Sequence, residues 1–283
     1  MTDETPTCSK PRLVLMGEFS AGKSTLSNIL LDSNPLPMRV TATRLPPVIM
    51  TYGAPCAYAV RHDDTRDEID LNNLETVQLE ETARIEISMT SDVLQLCDIV
   101  DMPGISDPNM PQEMWENVIG PKDHVIWCTH ATQAWRQSEA AIWNILRPQS
   151  SGINVLLITQ FDKLQNERDK SRVIKRVERE TDGLFNAIYP VALLDALKCG
   201  EDSDVWEQSG AAAFSEHIIK VLLGNVPVPA IHAQAAVNND IRNTTALREQ
   251  SMVPPIKPRR VSAQATATPQ SQNPLPTQAE VGG

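Results

Sequence analysis

The feature that most narrows the folds open to this chain is Gly17-Glu-Phe-Ser-Ala-Gly22-Lys23-Ser24, which directly follows the apolar run Leu13 to Met16 and opens a helix-forming stretch, Lys23 to Leu31. The spacing G-x-x-x-x-G-K-[ST] between a strand and a helix makes a phosphate cradle. The glycines let successive N–H groups turn inward, and the helix N-terminus adds partial positive charge. In that geometry Lys23 reaches the β- and γ-phosphates and Ser24 ligates Mg²⁺. Average residue frequencies produce the bare pattern in roughly one chain of this size in a hundred, and the strand-before, helix-after context lowers that further. Gly17, Glu18, Phe19, Ser20, Ala21, Gly22, Lys23, Ser24 and Thr25 are therefore the candidate cradle.

From Leu13 onward short apolar runs alternate with helical patterns, which predicts an α/β fold with a mostly parallel sheet and helices on both faces. The strands are placed at Leu13 to Met16, Val48 to Tyr52, Ala57 to Val60, Arg84 to Met89, Cys97 to Asp101, His124 to Cys128, Asn154 to Thr159 and Ile188 to Ala192. Most are continuously apolar. Arg84 to Met89 alternates, which assigns it towards an edge. Helices are expected at Lys23 to Leu31, Pro111 to Ile119, Ser138 to Leu146, Asn166 to Phe185, Leu193 to Lys198 and Ala211 to Leu223. The domain map is a flexible arm over 1–10, one globular domain over 11–224, a helical extension over 225–252 and a disordered tail over 253–283. The tail has six prolines and no aromatics, too little apolar surface to offset its ordering entropy.

Charge excludes several partners. The chain carries 25 basic and 36 acidic residues, a formal −11, which argues against nucleic acid or an anionic membrane as main partner. The five cysteines, Cys8, Cys56, Cys97, Cys128 and Cys199, form no C-x-x-C pair, so neither a zinc site nor a disulfide framework is indicated, and a cytoplasmic setting is expected. No apolar run approaches the ~20 residues of a transmembrane helix.

Two further constellations end on strand tips. Cys97-Asp-Ile-Val-Asp101-Met-Pro-Gly104 brings a D-x-x-G to a strand terminus, where Asp101 can hold a metal-bound water and Gly104 can offer its N–H to a γ-phosphate. Ile153 to Thr159, followed by Gln160-Phe-Asp162, places Thr159 and Asp162 at the edge where open α/β sheets bind ligands. A carboxylate there accepts from guanine N1–H and its exocyclic amine, which adenine does not match. The competing reading makes Asp162 a cap of the following helix.

Together, Gly-Glu-Phe-Ser-Ala-Gly-Lys-Ser-Thr-Leu-Ser-Asn-Ile-Leu-Leu, Leu36-Pro through Val40-Thr-Ala-Thr43-Arg-Leu-Pro-Pro-Val, and Asp101-Met-Pro-Gly104-Ile resemble the GTPase domain of bacterial dynamin-like proteins, over about Leu13 to Leu223. The resemblance implies a P-loop NTPase fold of the dynamin type, with Mg²⁺-dependent hydrolysis of GTP to GDP and phosphate. It makes Thr43 the switch threonine that closes over Mg²⁺ and the γ-phosphate, with Thr41 its competitor. It also makes Ser20 the residue that, with bound K⁺ or Na⁺, replaces an arginine finger. Catalysis would then fall to Ser20, Lys23 and Thr43, and Mg²⁺ to Ser24, Thr43 and Asp101. Ile105 stands where Ras-like enzymes carry a water-orienting glutamine.

The sequence departs from the family at Gln160, where a lysine usually packs along the guanine ring, and in having no long helix pair after Leu223. Membrane remodelling is accordingly not expected of this chain alone. The guanine-side loop is placed at Val191 to Leu194 by position only. Pairing as a homodimer or heterodimer through the G domain is the expected protein contact, with Arg136 a candidate residue. The rival class is a nucleotide-gated interaction module with negligible turnover. An ATPase or small-molecule kinase is disfavoured by Asp162. Trp127, Trp135 and Trp143 are expected in the core, and His124 and His130 in structural roles.

Overall fold

A computed structural model describes residues 10–32, 45–71, 77–78, 80–106, 119–200 and 202–224. All lie in the first of two compact units, Met1–His232; the second, Ala233–Gly283, is outside the described residues. Also outside are Thr41, Thr43, the Leu36-Pro stretch, most of the expected helix Pro111 to Ile119, the helical extension and the tail.

Among the described residues nine strands form one sheet: β1 (Arg12–Gly17), β2 (Val48–Tyr52), β3 (Cys56–Arg61), β4 (Arg66–Glu68), β5 (Thr82–Met89), β6 (Asp98–Asp101), β7 (His124–His130), β8 (Asn154–Thr159) and β9 (Ala187–Pro190). Their spatial order is β4-β3-β5-β2-β6-β1-β7-β8-β9. From β6 to β9 every pairing is parallel. On the other side β2 runs antiparallel to β6 and parallel to β5, while β3 pairs antiparallel with β5 and β4. The described helices are α1 (Lys23–Leu31), α2 (Asp92–Leu96), α3 (Gln137–Leu146), α4 (Glu167–Glu180), α5 (Leu193–Lys198), α6 (Ser203–Gln208) and α7 (Ala211–Leu222).

Strand alternation divides the apolar residues into two cores, one on each face. Leu13 and Leu15 of β1 join Leu26, Leu193, Phe214 and Ile218 from α1, α5 and α7. Val14 and Met16 join Trp127, Trp143 and Val177, the last two from α3 and α4. The tryptophans fill the second core as expected. Trp143 stacks on Phe185 at 4.7 Å and meets Trp127 edge-on at 5.5 Å. Trp143→Ala is expected to cost about 3–5 kcal/mol, read as a lowered urea midpoint.

Arg84 to Met89 lies towards an edge but not at it: β5 is third from the β4 edge, between β3 and β2. Its alternation reflects unequal cover of its two faces. Ile85 and Ile87 enter the core, while Arg84 and Glu86 form ion pairs with Asp64 and Arg66. The helix expected over Asn166 to Phe185 stops at Glu180. There the Thr181 hydroxyl donates to Val177 O at 2.7 Å, and Gly183 turns the chain at φ 66°, freeing Phe185 to pack on Trp143.

Candidate nucleotide-phosphate site

β1 and α1 are joined by a loop whose shape depends on its two glycines. Gly17 has φ 136°, and a Cβ there would lie 2.0 Å from Cys128 O of β7. Gly22 caps α1 at φ 88° with no side-chain hydrogen bond, so the first N–H groups of α1 are left for a ligand. Ser20, at the exposed tip, holds φ 57° without being glycine, a strained conformation of the kind found at ligand clamps.

Lys23 is buried beneath this loop. Its Nζ donates to Gly17 O at 3.1 Å and Glu18 O at 2.8 Å. Burial lowers its pKa, opposed first by the charge of Asp101. The Ser24 hydroxyl donates to Asp101 Oδ2 at 2.8 Å, and Asp101 Oδ1 is buried with no hydrogen-bond partner among the described residues. Burial pushes the Asp101 carboxyl up to about 6, against the pull of Lys23 and Ser24. An orphaned carboxylate oxygen beside a hydroxyl and a buried ammonium suits a divalent cation with its water shell. Ser24 and Asp101 are thus the described residues that would hold Mg²⁺; Thr43, the third expected ligand, is outside them.

The same pKa shift gives a sign for stability. The unfolded carboxyl ionises near pH 4, whereas the native one still carries its proton there, so ionisation between about pH 4 and 6 opposes the metal-free fold. Stability is expected to fall over that window by on the order of 2–3 kcal/mol. Asp101→Asn should remove this pH dependence, leaving the variant more stable than the parent at pH 7 and equal to it near pH 4 in urea titrations without metal.

Beyond β6 the chain runs against the loop. Ile105 N donates to Gly17 O at 3.2 Å, and a Cβ on Gly104 would lie 2.7 Å from Phe19 N and Cα. Gly104 therefore sits where its main chain can meet a terminal phosphate. Ile105 is in the second core, so its side chain cannot orient a water.

The β8 tip supports the loop from behind. The buried Thr159 hydroxyl lies 2.7 Å from Ala21 O and 3.1 Å from Thr129 O, a bracing position. Gln160, at φ 53°, donates from Nε2 to Ser20 O at 2.8 Å. Asp162 is exposed in the 3-10 turn Phe161–Lys163. It does not cap α4; Asn166 does, accepting from Asp169 N at 2.8 Å. The Val191 to Leu194 loop joins the same place. Phe161 N donates to Val191 O, and Leu193 Cδ1 lies 3.0 Å from a Cβ built on Gly22. Thr25 is half-buried in the first turn of α1.

Sequence reasoning missed the residues behind the loop. Glu139, buried, accepts from Trp127 Nε1, Thr129 Oγ1 and Arg136 N. Ser138 donates to Glu18 Oε1 at 2.9 Å. The only local signal was the Ser-Glu pair at a helix start. His124 and His130 hold main chain, accepting from Ile153 N and Thr132 N.

Two solved structures of an oligomerised bacterial dynamin pair, described as a mechanism for long-range sensing and tethering of membranes, share this fold. One aligns at a TM-score of 0.55 with 18% identity, covering 75% of this chain and 34% of its own. The other aligns at 0.54 with 17% identity, covering 83% and 37%. This chain thus spans little more than a third of the length of either. A search of curated proteins returned no significant match. The sequence model of the Dynamin family matches residues 13–161, a stretch that contains the candidate phosphate loop, Asp101 and Gly104, and the chain belongs to the dynamin family, a family of GTPases.

Proposed function

We propose that this chain binds Mg²⁺–GTP and hydrolyses it to GDP and phosphate by positioning and charge stabilisation, without a covalent intermediate. The observation that carries the reading is the pairing of buried Lys23 with Ser24–Asp101 under a loop pressed by Gly104. Lys23 meets charge developing between the β- and γ-phosphates, and the free N–H groups of the loop hold the α- and β-phosphates. Mg²⁺, when bound, neutralises phosphate charge. With Ile105 buried, orienting the attacking water falls to Thr43 and to Ser20, the latter with K⁺ or Na⁺. Asp162 reads the guanine edge. Gln160 keeps a bond to the loop but has no cation to lay along the base.

The globular domain spans 11–224 in this reading. GTP-bound copies pair through the switch face, as a homodimer or with a related chain, and the protein works in the cytoplasm. The four described cysteines are free, and no described helix is long and apolar enough to cross a membrane. Remodelling of membranes is not proposed for this chain alone.

The test is phosphate release from GTP and from ATP with Mg²⁺, in K⁺, Na⁺ or N-methylglucamine buffer, over a hundredfold range of protein concentration. GTP-selective release that needs a small cation and rises with concentration is expected. Tight GTP binding without release would replace the enzyme with a nucleotide-gated interaction module. Equal use of ATP would remove the role of Asp162.

A further inference from the structure

Glu18 is a carboxylate inside an anion-binding loop, and that placement needs explaining. A free carboxylate facing the cradle would repel the phosphates that the loop N–H groups attract. Instead the residue is only 8% exposed, and its Oε1 accepts at 2.9 Å from the hydroxyl of Ser138 in α3, a helix on the opposite face of the sheet from α1. Ser138 belongs to the first turn of α3, 120 residues downstream.

That turn is itself fixed. Glu139 accepts from Trp127 Nε1 at 3.0 Å, Thr129 Oγ1 at 3.0 Å and Arg136 N at 2.9 Å. Thr129 Oγ1 also accepts from Trp135 N at 2.9 Å. The Glu18 main chain lies in the seat of Lys23: its carbonyl accepts from Lys23 Nζ and from Ala21 N. Rotation of the Glu18 side chain would therefore bring a carboxylate into the cradle beside the seat of the phosphate-binding lysine.

We propose that Ser138 is a positioning residue, a latch that holds the Glu18 carboxylate behind the phosphate loop and so sets nucleotide affinity from the N-terminus of α3. The inference rests on the nucleotide-binding reading above and deepens it. Ser138 touches neither phosphate nor metal and acts only through Glu18. The turn before it, Thr132 to Gln137, includes exposed Thr132, Gln133, Arg136 and Gln137, so whatever displaces this turn releases Glu18 toward the nucleotide.

The test is a double-mutant cycle on GDP and GTP affinity, measured by calorimetry, with turnover recorded alongside. Ser138→Ala is expected to weaken nucleotide binding about tenfold and raise KM by a like factor, with kcat changed less than threefold. Ser138→Thr, which keeps the hydroxyl, is expected to restore affinity. In the Glu18→Gln background, where no anion remains to be held back, Ser138→Ala should change affinity less than twofold. Equal losses in both backgrounds would mean that Ser138 merely supports the helix, and would overturn the latch, as would no loss in either. A parent protein that binds neither nucleotide overturns the nucleotide-binding reading and the latch together, whereas binding with an additive cycle removes the latch alone. Thermal unfolding of all five proteins separates misfolding from release; if Ser138→Ala unfolds, the cycle is run with Ser138→Cys.

Discussion

Lys23→Ala is expected to lower GTP turnover by at least about 10³-fold, on the scale of removing a preorganised charge from a transition state, while leaving the fold intact. The burial of the lysine explains both halves. Its ammonium is held in a low-dielectric seat by Gly17 O and Glu18 O, close enough to Asp101 for that charge to oppose its desolvation. A charge so placed needs little reorganisation when negative charge moves toward the β–γ bridge. In the nucleotide-free protein the same burial opposes folding, because a buried ammonium with incomplete pairing costs stability. Truncation to Ala removes that cost along with the function, and Asp101, whose carboxyl already sits at about 6, meets the loss of the opposite charge by taking up a proton. The expected signature is therefore a dead enzyme with a melting temperature no lower than the parent's, read by phosphate release and by thermal unfolding. A variant with full turnover would mean that the loop does not bind phosphate in the assumed register. Lys23→Arg should not rescue, since a forked guanidinium is larger than the seat that two carbonyls make for a single ammonium.

Much of this site is contiguous in sequence and was legible there. The boundaries of β2, β8, α1 and α5 follow directly from apolar runs and a glycine cap. Gly17 to Ser24 and Asp101 to Gly104 meet in space as their strand-tip positions require. What escaped is of two kinds. β4, Arg66–Glu68, is three exposed charged residues with no hydrophobic pattern, held by pairing with β3 and by ion pairs to Arg61 and Glu86, and α2 and α6, at five and six residues, are too short to show helical periodicity. The second kind is long-range side-chain contact. The Gln160–Ser20 and Ser138–Glu18 bonds join residues 140 and 120 positions apart, which no spacing rule registers. Gln160 reads in sequence as a lost lysine. In the structure it ties the base-side loop to the phosphate loop, a role its amide performs without charge. That two strands lie outside Arg84 to Met89 on the β4 side escaped for a related cause: alternation reports which faces of a strand are covered, not how many neighbours it has.

Gly104→Ala tests how closely the two halves of the site must approach. The added Cβ would lie 2.7 Å from Phe19 N and Cα and 3.0 Å from Phe19 Cβ. The nearest of these atoms are backbone, not the end of a side chain that could swing aside, so either the loop tip or the segment after β6 must retreat. Retreat of the segment would stretch the Ile105 N to Gly17 O bond and withdraw the Gly104 N–H from the terminal phosphate. Retreat of the tip would disturb Ser20, already at φ 57°. Either shift is a fraction of an ångström to about 1 Å, a displacement that costs about 10²-fold when it misplaces reacting groups. The expected result is a turnover loss of about 10²-fold, a stability loss of about 1–3 kcal/mol from overpacking, and GDP affinity changed much less than GTP affinity, because in the proposed binding mode only the terminal phosphate faces this residue. Gly120→Ala provides the contrast. Its Cβ would meet nothing closer than 3.4 Å, it lies before β7 at the opposite end of the sheet from the phosphate loop, and its turnover should match the parent. Equal losses of GDP and GTP binding in Gly104→Ala would instead place Gly104 against the loop as a packing residue alone, leaving the γ-phosphate to be sensed elsewhere.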